Sequence, residues 1–439
     1  MKKIITVLLV ALNVLVYAQE TYTIKGHFPN FPNSNYELKG YKGLQQITIA
    51  TAKSKEDGKF TLSYPETYVG NAQLYMNGAY QNLFLLNKEN IHIFWEDLTK
   101  REDMQLTGSK EYDAFLKGMK TFQDSEAKVA GLHYLLPLYK TDTIKQLHFA
   151  KELDTVAYAF PSYIKALADS LYVRQYLLAK GLIEQMPNSV KSYTWRAPAH
   201  VPEFMAIDFK VLKHSGLYKD LIEGYTSLVE RFPLEEVNPL LVEAINKVLT
   251  ELKEEPSIQQ NIAQQWFTLL ESKSLFAAAE HLALAMLNQE GTVLDAKSLS
   301  LFKKYEALAV GNTAPDIQLT KRKKLSHIKN NSLLVFGSSE CGPCAEAKKQ
   351  LLDYYPKWQA KGNIEVVYIS IDTDKALYQE TFGNTPWQTY CDFKGWDTQA
   401  AKDYFVNATP TYVLLDKDLK ILVHPKTVAH ANFFIMNKL

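Results

Sequence analysis

The spacing of apolar residues changes twice along the chain, and this pattern constrains the fold more than any other feature. Between residues 21 and 106, apolar and polar residues alternate in short runs. Helical spacing follows to about Leu308, and strand-like runs return from about Val310. A period of two predicts half-buried strands, and recurrence at three and four residues predicts amphipathic helices. The chain is therefore expected to contain three structural segments of different class.

The predicted protein is multidomain, with the segments drawn at these changes of pattern. Residues 19–107 are expected to form an antiparallel β-domain with hairpins, one of them turning at Asp57-Gly58. Residues 108–309 are expected to form an all-α domain that starts with Ser109 as an N-cap. Residues 310–439 are expected to form an α/β domain. The helical patterns are punctuated by Pro187, Pro198, Pro202, Pro233, Pro239 and Pro256.

The first residues predict export. Lys2 and Lys3 precede an apolar run that ends in the small-residue site Val16-Tyr17-Ala18, as in a cleaved signal peptide covering residues 1–18. The run is shorter than the roughly 20 residues of a membrane-spanning helix, and no later stretch is apolar enough, so a soluble mature chain is expected. No cysteine follows the run, so a lipidated N-terminus is not indicated. We expect a periplasmic or otherwise exported protein.

Composition narrows the possible partners and the use of the cysteines. Lys and Arg number 49 against 48 Asp and Glu, which gives no electrostatic reason to expect nucleic acid or an anionic membrane surface as a partner. A basic run, residues 321–324, is expected to be a solvated hairpin tip. An apolar content of 46% is enough for large cores. Three cysteines cannot form the disulfide framework of small exported domains, so they are free for chemistry.

Two of those cysteines, Cys341 and Cys344, are separated only by Gly342 and Pro343. A buried-strand pattern precedes them and a helical pattern follows, which predicts a strand-to-helix junction. There the free N–H groups and the helix dipole favour a thiolate on Cys341, the species that attacks disulfides. A redox couple is the preferred interpretation, and an inert structural disulfide is the alternative.

A zinc site is the remaining interpretation of the pair. It needs further ligands, and the chain offers Cys391 with the scattered His327, His424 and His430. These residues lack the spacing of a second ligand pair. No metal and no other cofactor is therefore expected.

The residues around the pair resemble a known family. The segment "FGSSECGPC" resembles the active-site segment of thioredoxin-fold oxidoreductases, and "VGNTAPDIQL" resembles the lead-in of the exported TlpA-like or ResA-like branch. Downstream, "IEVVYISIDTD" and "AKDYFVNATPTYVLLDKDLKIL" resemble the next parallel strand and the cis-proline segment. Residues 21–106 resemble, more faintly, a small β-domain of unassigned function that often precedes such domains in bacterial envelope proteins.

The resemblance implies a thioredoxin-like C-terminal fold and a set of site residues. Cys341 and Cys344 would be the catalytic, redox-active disulfide pair, and Pro410 after Thr409 would be a cis-proline lying against them. The backbone of Thr409 would then be able to pair with an incoming peptide.

Two departures from the family pattern stand beside the pair. Glu340 occupies the position where the family usually has Trp, and it joins the supporting residues as a carboxylate that opposes thiolate formation if it lies close. The preferred alternative is a solvated loop carboxylate. Val335 occupies the position of a buried proton-shuttling Asp, and Glu346 is a weak substitute that is expected on the helix surface.

The remaining thiol, Cys391, is expected to be buried, with a third redox partner or an intermolecular link as alternatives. Packing is the expected role of Trp387 and Trp396, which otherwise would line a substrate groove.

These residues together predict a thiol-disulfide oxidoreductase of the protein-disulfide reductase type. Its partners would be envelope proteins with disulfides or dithiols, and the family implies a membrane-embedded electron donor and a role such as cytochrome c maturation. The alternative is a partner- or ligand-binding envelope protein whose thioredoxin domain is a docking module. A thiol peroxidase is disfavoured, because the Pro-x-x-x-Thr-x-x-Cys site is missing from the sequence.

Overall fold

The computed structural model describes residues 20–191, 196–290 and 294–439. The predicted signal peptide, residues 1–18, lies outside these ranges. The contacts divide the chain into two compact units, Met1–Ala278 and Ala279–Leu439. One compact unit can hold more than one domain, so the four segments drawn from the sequence remain a prediction. Within the described ranges, no helix combines the length and the apolar character needed to cross a membrane.

Strands form where the sequence alternates in the N-terminal segment. They assemble into two sheets, with the orders β4-β1-β7-β8 and β3-β2-β5-β6 in the described part of the chain. Both sheets bury one face in a single core that includes Ile24 and Tyr64 from the first and Tyr36 and Leu74 from the second. The strands are β1 (Thr21–His27), β2 (Asn35–Lys42), β3 (Gln45–Lys53), β4 (Lys59–Pro65), β5 (Gly70–Met76), β6 (Ala79–Leu86), β7 (Ile91–Phe94) and β8 (Gln105–Thr107).

The hairpins predicted from turn signals account for much of the pairing in these sheets. Gly58 has a φ of +76°, which a glycine adopts without steric cost, and it turns the chain between β3 and β4. These two strands, both within the described ranges, belong to different sheets and do not pair, so the turn at Asp57-Gly58 is present but the hairpin expected there is not. β2 pairs antiparallel with β3 and with β5, and β5 pairs antiparallel with β6. The antiparallel character of the domain is therefore confirmed. β1 and β7 add a parallel pairing that local hairpin signals cannot reveal, because the two strands are distant in sequence.

Helices fill the middle segment as the 3.6-residue pattern predicts. Ser109 is the N-cap of the first helix, and its hydroxyl accepts a hydrogen bond from the backbone N–H of Tyr112 at 3.1 Å. The helices are α1 (Lys110–Leu135), α2 (Thr143–Ala157), α3 (Ala159–Ala166), α4 (Tyr172–Lys191), α5 (Ala197–Met205), α6 (Tyr218–Val229), α7 (Leu234–Glu251), α8 (Pro256–Ser272), α9 (Phe276–Asn288) and α10 (Ala296–Ala307).

The prolines punctuate these helices less than the sequence suggested. Pro233 is an N-cap and Pro256 starts α8, as expected for helix boundaries. Pro187, Pro202 and Pro239 instead lie inside α4, α5 and α7. A proline removes one intrahelical hydrogen bond, and buried neighbours on the same helix can offset that loss. The prediction that all of these prolines separate helices is therefore wrong.

A row of polar side chains links α4 to α5 and has the order of a hydrolase triad. His200 lies 2.8 Å from the Ser189 hydroxyl and 2.6 Å from the Glu203 carboxylate. Ser189 is 0% exposed, and its hydroxyl donates to the carbonyl of Gln185 one turn earlier. A substrate has no access to a hydroxyl buried in this way, so the row serves packing between the two helices.

The C-terminal unit is a mixed sheet with apolar cores on both faces, which confirms the predicted α/β class. Its strand order in the described residues is β13-β12-β11-β14-β15, in which β11, β12 and β13 run parallel and β14 antiparallel to β11. A separate hairpin turns at the basic run, as predicted. The strands are β9 (Gln318–Thr320), β10 (Lys323–Lys324), β11 (Ser332–Gly337), β12 (Glu365–Ser370), β13 (Gln388–Cys391), β14 (Thr411–Leu415) and β15 (Ile421–Val423).

The central strand β11 is buried along its whole length because helices cover both faces of the sheet. One core contains Leu333 and Val335 together with residues of α11 and α14. The other contains Leu334 and Phe336 together with residues of α13. The helices that follow β11 are α11 (Gly342–Gly362), α12 (Lys375–Phe382), α13 (Gln399–Asp403) and α14 (Val428–Lys438).

A buried carboxylate connects α1 to the start of α4. Glu111 is 0% exposed, and its oxygens accept hydrogen bonds from the backbone N–H groups of Tyr172 and Val173 at 2.9 and 2.7 Å. The amide of Asn87 donates a third bond at 2.6 Å. Burial raises the pKa of Glu111, and these hydrogen bonds oppose the rise. The carboxylate therefore satisfies N–H groups that the first turn of α4 leaves without helical partners.

We expect Glu111→Ala to lower the free energy of unfolding by about 1–3 kcal/mol, because two buried N–H groups lose their acceptor. Urea unfolding of the full chain followed by circular dichroism measures this. Asp113→Ala is the matched control, since Asp113 is exposed on the same helix. Equal destabilisation by both substitutions would contradict the proposed cap.

Candidate functional site: a disulfide at a helix N-terminus

The cysteine pair lies where the central strand passes into a helix, as the sequence predicts. β11 ends at Gly337, and α11 begins at Gly342 with Cys341 as its N-cap. The sulfur of Cys341 accepts a hydrogen bond from the backbone N–H of Cys344 at 3.1 Å. Pro343 lies in the first turn, where its missing N–H removes no helical bond. The N–H groups at this helix end stabilise a thiolate on Cys341 when the pair is reduced.

Cys341 and Cys344 are joined by a disulfide, with their Cα atoms 5.2 Å apart. The two sulfurs differ in access to solvent. Cys344 is 2% exposed, whereas Cys341 is half-buried, and the neighbouring Gly342 and Pro343 are exposed. An incoming disulfide can therefore reach Cys341 and not Cys344.

Thr409 and Pro410 lie against the pair. Their peptide bond is cis, as the resemblance implies, and the carbonyl oxygen of Thr409 lies 3.4 Å from the sulfur of Cys341. The sheet explains the proximity. β14 starts at Thr411 opposite Phe336, so the end of β11 and the start of β14 meet at one edge of the sheet.

Glu340 and Glu346, the two carboxylates considered in the sequence analysis, both lie at the surface. Glu340 is exposed, and its backbone N–H donates to the hydroxyl of Ser338 at 3.2 Å. Glu346 is exposed as predicted and pairs with Lys349 at 3.4 Å. Val335 is buried in the sheet core. Neither glutamate occupies the buried position that a proton shuttle to Cys344 requires.

Cys391 is not disulfide-bonded and is half-buried at the end of β13, so it is less buried than expected. Its sulfur lies 3.4 Å from the backbone carbonyl oxygen of Asp372. Burial raises the pKa of this thiol, and the backbone N–H of Phe393 opposes the rise.

The two tryptophans considered in the sequence analysis differ in exposure. Trp387 is 5% exposed and packs on Tyr355, whereas Trp396 is 53% exposed, so packing describes only Trp387.

Asp372 is a residue of this site that the sequence analysis missed. It follows β12, is 4% exposed, and accepts hydrogen bonds from Ser338 and Ser339 in the loop before Cys341. A signal was present in the sequence, because an acidic residue placed directly after a buried parallel strand lies at the edge where such sheets bind ligands. Among the residues that the structure describes, no group of three or more His, Cys, Asp or Glu side chains lies close enough together to hold a metal ion.

The comparisons with known proteins bear on the C-terminal unit and on the β-sheets separately. Residues 331–421 match a family model described as thioredoxin-like, and residues 22–115 match a domain of unknown function, DUF4369. The thiol-disulfide oxidoreductase ResA of Geobacillus thermodenitrificans is 27% identical over 127 residues, which are 28% of this chain and 72% of ResA. The C-terminal segment therefore contains a thioredoxin-like domain that is similar to thiol-disulfide oxidoreductases.

Other relatives match the same thioredoxin-like domain. A tryparedoxin of Trypanosoma brucei brucei is 28% identical over 91 residues, which are 20% of this chain and 63% of the tryparedoxin, so less than two thirds of that relative is covered. A solved thiol-disulfide oxidoreductase from Bacteroides fragilis is 26% identical and covers 29% of this chain and 100% of its own, with a TM-score of 0.27. The thioredoxin-like family model and the similarity to ResA confirm the resemblance drawn from the sequence.

We expect Cys341 in the reduced full chain to react with iodoacetamide roughly tenfold or more faster than Cys391 at neutral pH. Burial raises the pKa of Cys391, whereas the N–H groups at the start of α11 favour a thiolate on Cys341. One unit of pKa difference changes the thiolate fraction about tenfold. Peptide mass spectrometry after timed quenching separates the two sites. Equal rates would contradict the assignment of Cys341 as the reactive thiol.

Proposed function

We propose that this protein exchanges dithiol for disulfide with other proteins, with Cys341 as the attacking thiol and Cys344 as the resolving thiol. One observation carries the proposal. The accessible sulfur of Cys341 sits at the start of α11 and 3.4 Å from the carbonyl oxygen of Thr409, while its partner Cys344 is shielded. Family membership of the domain supports the same chemistry.

The reaction proceeds in two balanced exchanges. The Cys341 thiolate attacks one sulfur of the substrate disulfide, a mixed disulfide forms, and the other substrate sulfur leaves as a thiolate. Cys344 then attacks the sulfur of Cys341, the Cys341–Cys344 disulfide forms, and the second substrate sulfur leaves. The departing substrate thiolates take up the protons that the two cysteines lose. Two electrons pass from the protein to the substrate in total.

The substrate is proposed to dock as an extended segment beside Thr409. The backbone of this residue lies directly before β14 and next to the sulfur that attacks. A main-chain contact at that point would hold the substrate disulfide near Cys341 without requiring a particular side-chain sequence. Such docking suits an enzyme that acts on several envelope proteins.

Reduction is the proposed direction, in the periplasm or another exported location. The leader-like residues 1–18 support export, and the Gly-Pro pair between the cysteines resembles that of reducing thioredoxins. A reductant in an oxidising compartment needs recharging by a dithiol donor, which we propose is membrane-embedded. Disulfides of envelope proteins, including those formed during cytochrome c maturation, are the proposed substrates.

We expect the full chain to accelerate the reduction of insulin by dithiothreitol. Cys341→Ser should abolish the acceleration, because no attacking sulfur remains, and Cys344→Ser should accumulate a mixed disulfide that nonreducing gels detect. Cys391→Ser is the matched control and should retain the wild-type rate. An inactive wild-type chain would favour the alternative of a binding protein with a docking module.

We expect the Cys341/Cys344 couple to titrate near the reducing thioredoxins, at about −270 mV, and far from the oxidising periplasmic catalysts near −120 mV, roughly 150 mV away. Equilibration with glutathione and dithiothreitol buffers, followed by trapping of free thiols, gives the potential. A value near the oxidising catalysts would reverse the proposed direction and leave the exchange chemistry intact.

A further inference from the structure

Asp372 connects the strand β12 to the loop that carries Cys341. One carboxylate oxygen accepts hydrogen bonds from the hydroxyl of Ser338 at 2.8 Å, and from the backbone N–H and the hydroxyl of Ser339 at 2.9 and 2.6 Å. The other oxygen accepts from the hydroxyl of Ser370 on the preceding strand. Both oxygens of a 4% exposed carboxylate are thereby committed to hydroxyl and amide donors.

The same hydrogen bonds continue to the cysteine. The hydroxyl of Ser338 accepts from the backbone N–H of Glu340 at 3.2 Å, and the carbonyl of Ser338 accepts from the N–H of Cys341 at 3.3 Å. The conformation of residues 338–341 is thus fixed from one side by Asp372 and from the other by the start of α11. A change at Asp372 would alter where the sulfur of Cys341 lies.

Asp372 is also a fixed negative charge. Burial alone would raise the pKa of this carboxyl, but hydrogen bonds from Ser339, Ser370 and Ser338 outweigh burial and hold the pKa below its usual value. The group is therefore ionised across the neutral range. Its contribution to stability is present above the ordinary Asp pKa and is lost as the pH falls through the lowered value.

The other titratable groups facing Asp372 are uncharged at neutral pH. Burial raises the pKa of Tyr368 on β12 and of Tyr378 on α12, and the charge of Asp372 adds to both increases. Burial likewise raises the pKa of Cys391 on β13, again with a contribution from Asp372. Asp372 is therefore charged at neutral pH, whereas Tyr368, Tyr378 and Cys391 are not.

We propose that Asp372 is a positioning residue of the redox site, which holds Ser338 and Ser339 in place for Cys341 and whose charge keeps the couple reducing. A nearby negative charge disfavours the Cys341 thiolate. A less stable thiolate makes the dithiol form less stable, and a less stable dithiol is a stronger reductant. The inference rests on the proposed function and gives a physical reason for its direction.

Asp372→Asn separates the two roles, because an amide oxygen still accepts hydrogen bonds while the charge is lost. In the full chain, we expect the midpoint pH of Cys341 alkylation to fall by roughly 0.3–1 unit and the reduction potential to become less negative. The alkylation profile is measured between about pH 5 and 9, where Asp372 stays ionised. Asp353→Asn, on the exposed face of α11, is the control with the same change of net charge and should leave both values unchanged.

Asp372→Ala and Ser338→Ala test the positioning role. Asp372→Ala should lower the insulin-reduction rate by roughly tenfold or more, because a small displacement of a reacting atom costs up to about 100-fold in rate. Ser338→Ala keeps the charge, so it should lower the rate without lowering the alkylation midpoint. Rescue of the rate by Asp372→Asn relative to Asp372→Ala is expected, since the amide keeps an acceptor.

The outcomes separate this inference from the proposed function. If Asp372→Asn leaves the midpoint and the potential at wild-type values, the charge has no role and the inference is overturned. If the wild-type chain fails to reduce insulin, the proposed function falls, while the midpoint and the potential still measure the effect of Asp372. Should Asp372→Ala not fold, Ser338→Ala with a wild-type rate would overturn the positioning role.

Discussion

The antiparallel pairing of β11 with β14 is the constraint on which the site depends. Hydrogen bonds between these strands bring the end of one to the start of the other, so a cysteine after the first and a proline before the second become neighbours. The sequence separates Cys341 from Thr409 by 68 positions, and the sheet reduces this to 3.4 Å between sulfur and carbonyl oxygen. The apolar cores on both faces hold the pairing in register, because a one-residue slip would turn buried side chains outward.

The chemistry then follows from the place of each sulfur within this frame. A helix that starts at the cysteine pair provides N–H groups to one sulfur and shields the other. In the same arrangement, a residue that follows the neighbouring strand β12 can adjust the reduction potential of the Cys341/Cys344 couple. The proposed source of that adjustment is Asp372, which accepts hydrogen bonds from the hydroxyls of Ser338 and Ser339, whereas Val335 is a buried apolar residue. A surface glutamate such as Glu340 has less influence, because solvent screens its charge.

The N-terminal and middle segments show how buried polar groups fix the packing of helices. The helix propensity of the residues alone does not determine where those helices lie. The Glu111 carboxylate accepts hydrogen bonds from the first backbone N–H groups of α4, which have no helical acceptor. This contact lies far from the cysteines in sequence. Such a carboxylate is costly to bury and is retained only when its oxygens are satisfied. Residues 22–115 of these segments match a domain of unknown function.

The sequence by itself determined the local structure, which is set by neighbouring residues along the chain. This holds for the strands of residues 21–106, the cap at Ser109, the junction at Cys341 and the hairpin at the basic run. Periodicity and capping depend on residues within one or two turns, so they can be read without a fold. Tertiary structure decided the parallel pairing of β1 with β7, the prolines inside helices, the exposure of Trp396 and the role of Asp372. Each of these depends on contacts between residues distant in sequence, which no local pattern encodes.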